Sequence, residues 1–297
     1  MPYDVIILGG GFAGMSAALQ LARARRPILV VDAGLPRNRF AAASHGFLGQ
    51  DGAAPAAIMR EALRQLSAYP SVDFIHGRAT SATGELDRFE VALEGEEVHA
   101  ARRLVLATGV ADTLPDIPGL TERWGQSVMH CPYCHGYEVR DRRIGVLANH
   151  PLSSHQALML PDWGPTTFFT QGMIPLDAEL AAKLAARGVG VETTPVVEVL
   201  GDHPAIAGVR LADGRTVALE AIFTAPKTAP ASPLAEQLGC AFDDGMTGPH
   251  VKLEAGQLTT VPGVYSAGDA ASPMHHATLA SAAGVMAGIG AHQSLIF

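Results

Sequence analysis

Short apolar runs alternate with alanine-rich stretches along the chain, and the order of the two is what predicts the elements. Asp4-Val-Ile-Ile-Leu8 reads as a strand, Met15 to Arg25 as a helix, and Pro27-Ile-Leu-Val-Val-Asp32 as a second strand. Further on, Arg143-Ile-Gly-Val-Leu147 and Thr167-Phe-Phe-Thr170 are again strand-like. Ala178 to Arg187 carries the 3.6-residue rhythm of a short amphipathic helix, and Val189 to Leu200 and Val209 to Leu219 are strand-like runs. A last alanine-rich helix follows His275 and His276. Strands alternating with helices predict an α/β fold.

Between the first strand and its helix lies G-x-G-x-x-G at Gly9, Gly11 and Gly14. The three glycines have separate tasks: a tight turn, close approach to a pyrophosphate, and close packing of helix on strand. Phosphate then sits on a helix amino terminus. Asp32 closes the second strand at about the ~20-residue distance where an acid bonds a ribose 2′-hydroxyl. A glycine-rich turn with no ligand is the plain alternative, and the added acid argues against it. The motif alone does not separate FAD from NAD.

The chain has 297 residues, 48% of them hydrophobic, which is enough for two domains. Net charge is −8 and no long Lys or Arg run occurs, so neither nucleic acid nor an anionic membrane is indicated as a partner. Small molecules or proteins are expected instead. An apolar strand begins within three residues of Met1 without a basic flank, and no segment approaches the ~18 to 20 apolar residues of a membrane span. A cytoplasmic location is the expectation.

Residues 127–138 read Ser-Val-Met-His-Cys-Pro-Tyr-Cys-His-Gly-Tyr-Glu. Cys131 and Cys134 form a C-x-x-C without the second pair of a four-ligand zinc site, which favours a redox dithiol and no metal. His130 and His135 flank the pair, and imidazoles suit both the attacking and the leaving sulfur, because the thiolate is the reacting form. A structural disulfide is the alternative, although so small a loop is a poor staple. Cys240, alone in Glu-Gln-Leu-Gly-Cys-Ala-Phe, reads as an inert apolar residue.

Leu104-Val-Leu-Ala-Thr-Gly109 resembles the A-T-G strand end of two-dinucleotide flavoproteins, and Thr260 to Asp269 resembles their closing strand. The order G-x-G-x-x-G, A-T-G, C-x-x-C, G-D and helix is similar to the low-molecular-weight thioredoxin reductase family over essentially the whole chain. The spelling of residues 32–40, 45–52, 131–138 and 268–278 resembles a branch that includes dithiol oxidases of epidithiol and dithiolopyrrolone pathways, the gliotoxin and holomycin type. The resemblance implies two Rossmann-like domains: a discontinuous FAD domain, 1–112 plus 246–297, and an inserted NAD(P)H-type domain, 113–245. Pro115, Pro118 and Gly119 mark one crossing, and Asp243, Asp244, Gly245, Gly248 and Pro249 the other. It also implies that FAD is held by Gly9, Gly11, Phe12, Ala13, Gly14, Asp32, Thr108, Gly109, Gly268, Asp269, His276 and Ala277, with Arg39, His45 and the Ala79 backbone along it. Cys134 then faces the flavin and Cys131 exchanges with substrate. His135 stands where many reductases carry an aspartate as acid or base, and His275 and His276 stand near the flavin pyrimidine edge, where one is placed to deprotonate a thiol. A homodimer is the family expectation.

In the reductases the inserted domain carries a second glycine fingerprint after the C-x-x-C. Here that loop reads Ala148-Asn-His-Pro-Leu-Ser153 and every glycine is missing. A Cβ obstructs the close approach of a pyrophosphate, and Pro151 removes an amide donor. Thr170-Gln171-Gly172 ends the next strand where NADPH users carry arginine, and no arginine follows before Arg187. The expectation is that NADPH does not bind. By elimination, an FAD-dependent oxidase passing electrons from a small-molecule or protein dithiol to O2 through Cys131 and Cys134 is the leading reading. A thioredoxin-type disulfide reductase using NADPH or another donor is the competing enzyme reading, and a non-catalytic FAD-binding sensor is the third.

Overall fold

The computed structural model describes residues 2–297. The chain divides into two compact units, one taking the chain through Arg37, Pro55–Ala111 and Thr228–Phe297, the other Asn38–Ala54 and Asp112–Lys227.

The first unit opens with β1 (Tyr3–Leu8), α1 (Phe12–Arg23) and β2 (Ile28–Asp32), the helix beginning at Phe12 rather than Met15. It continues through α2 (Pro55–Leu66), β3 (Val72–His76), β4 (Ala79–Glu85), β5 (Arg88–Leu93) and β6 (Val98–Leu106), and β7 (Val110–Thr113) leads out of it. Alternate residues of β1 face opposite sides of the sheet. Val5 and Ile7 are buried with Ala17 and Leu21 of α1, while Ile6 and Leu8 are buried with Phe89 and Val91 of β5. Each such side chain contributes about 1.5–3 kcal/mol. This double burial is why the run reads as continuously apolar.

In the second unit come β8 (Val128–Met129), α3 (Pro132–His135), β9 (Ile144–Leu147), α4 (Ser153–Met159), β10 (Thr166–Phe169), α5 (Ala178–Ala186) and β11 (Gly190–Glu192). They are followed by β12 (Val196–Leu200), β13 (Gly208–Leu211), β14 (Thr216–Ala218) and β15 (Ala221–Phe223). A parallel sheet in the order β11-β10-β9-β15-β8 is joined by a separate antiparallel sheet, β12-β13-β14. Two expected strand runs are therefore each split. Val189 to Leu200 breaks before Pro195, which has no amide for a ladder, and its halves lie in different sheets. Val209 to Leu219 turns back at Asp213-Gly214, with Gly214 at φ 88°.

β16 (Lys227–Pro230) carries the chain back, followed by α6 (Leu234–Gln237), β17 (Phe242–Asp244), β18 (Pro249–Val251), β19 (Val264–Ser266) and α7 (Ala277–Ser294). The return thus falls at Lys227–Thr228, and the Asp243–Pro249 cluster, expected to be that crossing, is the turn of the β17–β18 hairpin inside the first unit. The expected outward crossing near residue 113 corresponds to Ala111–Asp112. Segment 38–54, expected in the FAD domain, belongs to the second unit. β6 shares one edge between two partners: Val98–Ala101 pair with β5, and Leu104–Leu106 pair with β19. The parallel strands of the first sheet run in the order β3-β2-β1-β6-β19, so their carboxyl ends lie along one edge. Among the described residues no helix is long and apolar enough to cross a membrane.

Candidate active site

At the carboxyl edge of the second unit's sheet, β8 ends at Met129 and Cys131 adopts extended backbone as the cap of α3, with Pro132 preset for the first helical position. One helical turn later Cys134 returns beside it. The two form a disulfide with a Cα–Cα distance of 5.3 Å, and both are half-buried. Cys240 is buried elsewhere, and burial pushes its thiol up.

The flanking histidines differ. His130 lies with its ring 5.8 Å from Trp124, and its carbonyl accepts from Gln156 Nε2 at 2.6 Å. His135 has both ring nitrogens buried and without a hydrogen-bond partner. Burial pushes its imidazole below the ordinary value; the Glu138 carboxylate opposes this, and His45 adds to it.

His45, expected along FAD, packs in the second unit against this histidine. The two rings are edge to face with centroids 6.5 Å apart. His45 Nε2 is 3.5 Å from Glu138 and Nδ1 is 3.7 Å from Asp51. The segment is closed by Ser44 and Ala53 at 2.8 Å, and Asp51 accepts from the Gly46 amide at 2.9 Å, which holds the turn that carries His45. A cavity of about 570 Å³ opens here, lined by His45, Met129, His135, Glu138, Arg142 and Ile206 among others. Arg39 lies in the same segment, its guanidinium 4.2 Å over the Phe40 ring.

In the first unit, the loops leaving β1, β2, β6 and β19 gather at one sheet edge. Gly9 has φ 107°, and a Cβ there would lie 2.2 Å from the Ala107 carbonyl oxygen. A Cβ on Gly14 would meet the Gly9 carbonyl oxygen at 1.8 Å, so α1 starts hard against the strand end. Gly11 and Gly109 open onto space with nothing within 4 Å of such an atom, and no side chain caps α1 at Gly11. Asp32 Oδ1 accepts from the Gly10 amide at 2.9 Å, which fixes the carboxylate at the mouth of this cradle. Asp269 accepts from Arg37 Nη1 at 3.0 Å. His276 caps α7, its Nδ1 accepting from the Thr278 amide at 3.2 Å, ahead of Ala277. His275 is half-buried just before it, Thr108 follows β6, Gly268 precedes Asp269, and Ala79 begins β4. An uncapped helix start, a cradle that a Cβ would fill and an oriented carboxylate fit a dinucleotide.

The corresponding loop of the second unit is closed on itself. Ser153, fully buried, accepts from the Asn149 and His150 amides at 3.3 and 3.4 Å, and the Leu152 amide donates to His150 Nδ1 at 3.2 Å. After β10, Gln171 donates to the Val196 carbonyl at 3.2 Å and accepts from its amide at 2.6 Å. Arg187 is engaged by the Leu158 carbonyl and Asp162. The amides of this loop thus already have hydrogen-bond partners.

The pyridine nucleotide-disulphide oxidoreductase family matches residues 3–148 and 172–284. The chain belongs to this family. A thioredoxin reductase of Claviceps purpurea, tcpT, extends the match over nearly the full length, being 32% identical over 99% of this chain and 94% of its own. The crystal structure of an oxidoreductase from Agrobacterium tumefaciens superposes with a TM-score of 0.96 at 52% identity, covering 100% of this chain and 99% of that one. The crystal structure of HlmI gives a TM-score of 0.92 at 37% identity, covering 99% and 93%. As a thioredoxin-reductase-like member of the pyridine nucleotide-disulphide oxidoreductases, the chain is a flavoprotein enzyme with the expected two-domain α/β fold.

Four residues that shape these sites carried no separate signal in the sequence. Arg37, Glu138 and Asp51 are single charges that become meaningful only beside Asp269 and His45, and Ser153 is a serine in a loop known only for its missing glycines.

Proposed function

We propose that this protein is an FAD-dependent dithiol oxidase that takes two electrons from a small-molecule or protein dithiol through Cys131 and Cys134 and delivers them to O2. The observation that carries the reading is the contrast between the two nucleotide loops. The first offers an open helix start beneath Asp32, whereas the amides of Asn149, His150 and Leu152 in the second are already bonded to Ser153 and His150. A pyrophosphate would have to break those bonds. On this reading NADPH is not the donor, and the NADPH-dependent reductase stays the competing reading.

In the first unit, Gly9, Gly11, Phe12, Ala13 and Gly14 hold the FAD pyrophosphate and Asp32 its ribose. Thr108, Gly109, Gly268, Asp269, His276 and Ala277 hold the flavin half, with Arg37 fixing Asp269. When bound, FAD would supply the two-electron acceptor that links a dithiol to oxygen. One substrate thiolate attacks Cys131, the Cys131–Cys134 bond breaks, and Cys134 leaves as thiolate. The second substrate thiolate then attacks the mixed disulfide, releasing the oxidised product and leaving both cysteines reduced. His135 exchanges the proton of Cys134, a role suited to an imidazole held neutral by burial. The intact pair and its buried base speak against a non-catalytic sensor. The test is a closed oxygen electrode with dithiothreitol as sole donor: one peroxide per dithiol consumed is expected, and uptake that requires NADPH would overturn the reading.

A further inference from the structure

The His135 ring has no partner for either nitrogen, yet a base that takes a proton from Cys134 has to pass it on. Both its nitrogens are buried, so bulk water does not reach them directly. The one imidazole packed on it is His45, and both rings line the same cavity. His45 in turn faces two carboxylates, Glu138 and Asp51; the Asp51 side chain is 71% exposed. The two rings meet edge to face with their centroids 6.5 Å apart on the wall of that cavity.

We propose that His45 is a positioning residue for the thiol chemistry: with Glu138 and Asp51 it forms the path by which the proton accepted by His135 leaves the half-buried dithiol for solvent. The inference rests on the dithiol reading above. Reduction of the cysteine pair by a dithiol conserves protons, two thiols being consumed and two formed. Closing Cys131–Cys134 again releases two electrons and two protons, and bound FAD would take up the electrons with one of the protons. At least one of these leaves through His135, His45 and the carboxylates. The other charged groups on the wall of this cavity are Arg142 and Glu220.

The experiment compares wild type with His45→Gln, His45→Phe and Cys134→Ser. Anaerobic flavin reduction by dithiothreitol is followed against pH, and alkylation of the prereduced cysteine pair by iodoacetamide is followed on the same proteins. Both His45 variants are expected to reduce flavin about tenfold more slowly near neutrality, a smaller loss than the ~10²-fold of a direct base. Added imidazole restores the rate in His45→Gln. The alkylation midpoint moves to lower pH, because removing His45 favours the imidazolium beside Cys134. Wild-type rates with an unmoved midpoint in both variants would overturn the proposal. So would slow reduction that imidazole does not restore and that leaves the midpoint in place, since that is the signature of a packing role. Cys134→Ser separates the two levels: reduction at the wild-type rate in that variant would sink the dithiol reading itself, whatever His45 does.

Discussion

Arg37 and Asp269, 232 positions apart in sequence, share a hydrogen-bonded ion pair in which Nη1 donates to Oδ2 at 3.0 Å, with each side chain about one-fifth exposed. It joins the end of the β2 region to the turn after β19 at the edge where the first nucleotide loop lies. Asp269 is thereby oriented rather than left to solvent. Replacing Arg37 by Ala is expected to speed FAD release by about tenfold, corresponding to about 1.4 kcal/mol, near the lower end for a charged hydrogen bond. The check is the rise of flavin fluorescence after dilution. Unchanged release would confine the pair to folding.

His135 predicts how stability depends on pH. Burial lowers its folded-state value beneath that of the unfolded chain, so the unfolded state binds more protons in the interval between the two. Stability therefore rises with pH across that interval and is lost as pH falls below the unfolded value of about 6.5. His150, also lowered by burial, adds a change of the same sign. Urea unfolding at pH 7.5 and at a pH about two units lower should show a smaller loss in His135→Asn than in wild type; equal losses would contradict the assignment.

The two cysteines should differ in kind when replaced. Cys131→Ser leaves Cys134 as a free thiolate and is expected to give a long-wavelength absorbance band with bound FAD. Cys134→Ser is expected to give no such band and to trap a thiol substrate on Cys131 as a mixed disulfide, detected as added mass. A band in Cys134→Ser alone would reverse the roles.

The parts legible in the sequence are those encoded locally. The strand at Val5–Leu8, the three glycines and Asp32 fall within one βαβ unit, and β1, α1 and β2 formed where the apolar periodicity put them. The loop 148–153 was legible as an absence of glycine, but not as a closed network, because the hydroxyl of Ser153 acts only once the chain has turned back on its own amides. His45 shows the opposite limit. Its spelling carries no hint that the turn held by Asp51 brings it to His135, a contact across ninety positions that no periodicity encodes. The second crossing was misplaced for a related reason: Asp243 to Pro249 is rich in turn formers, and a hairpin uses them as readily as a domain boundary does.

Whether electrons enter from a dithiol or from NADPH can be read from anaerobic absorbance at the oxidised flavin band. Dithiothreitol is expected to bleach the band in wild type, and NADPH at micromolar concentration to leave it standing. Ser153→Gly, which frees the Asn149 and His150 amides, is predicted not to change the NADPH result, because Gln171 remains where a cation is needed. Rapid bleaching of the wild-type protein by NADPH would contradict the account and make the protein a reductase.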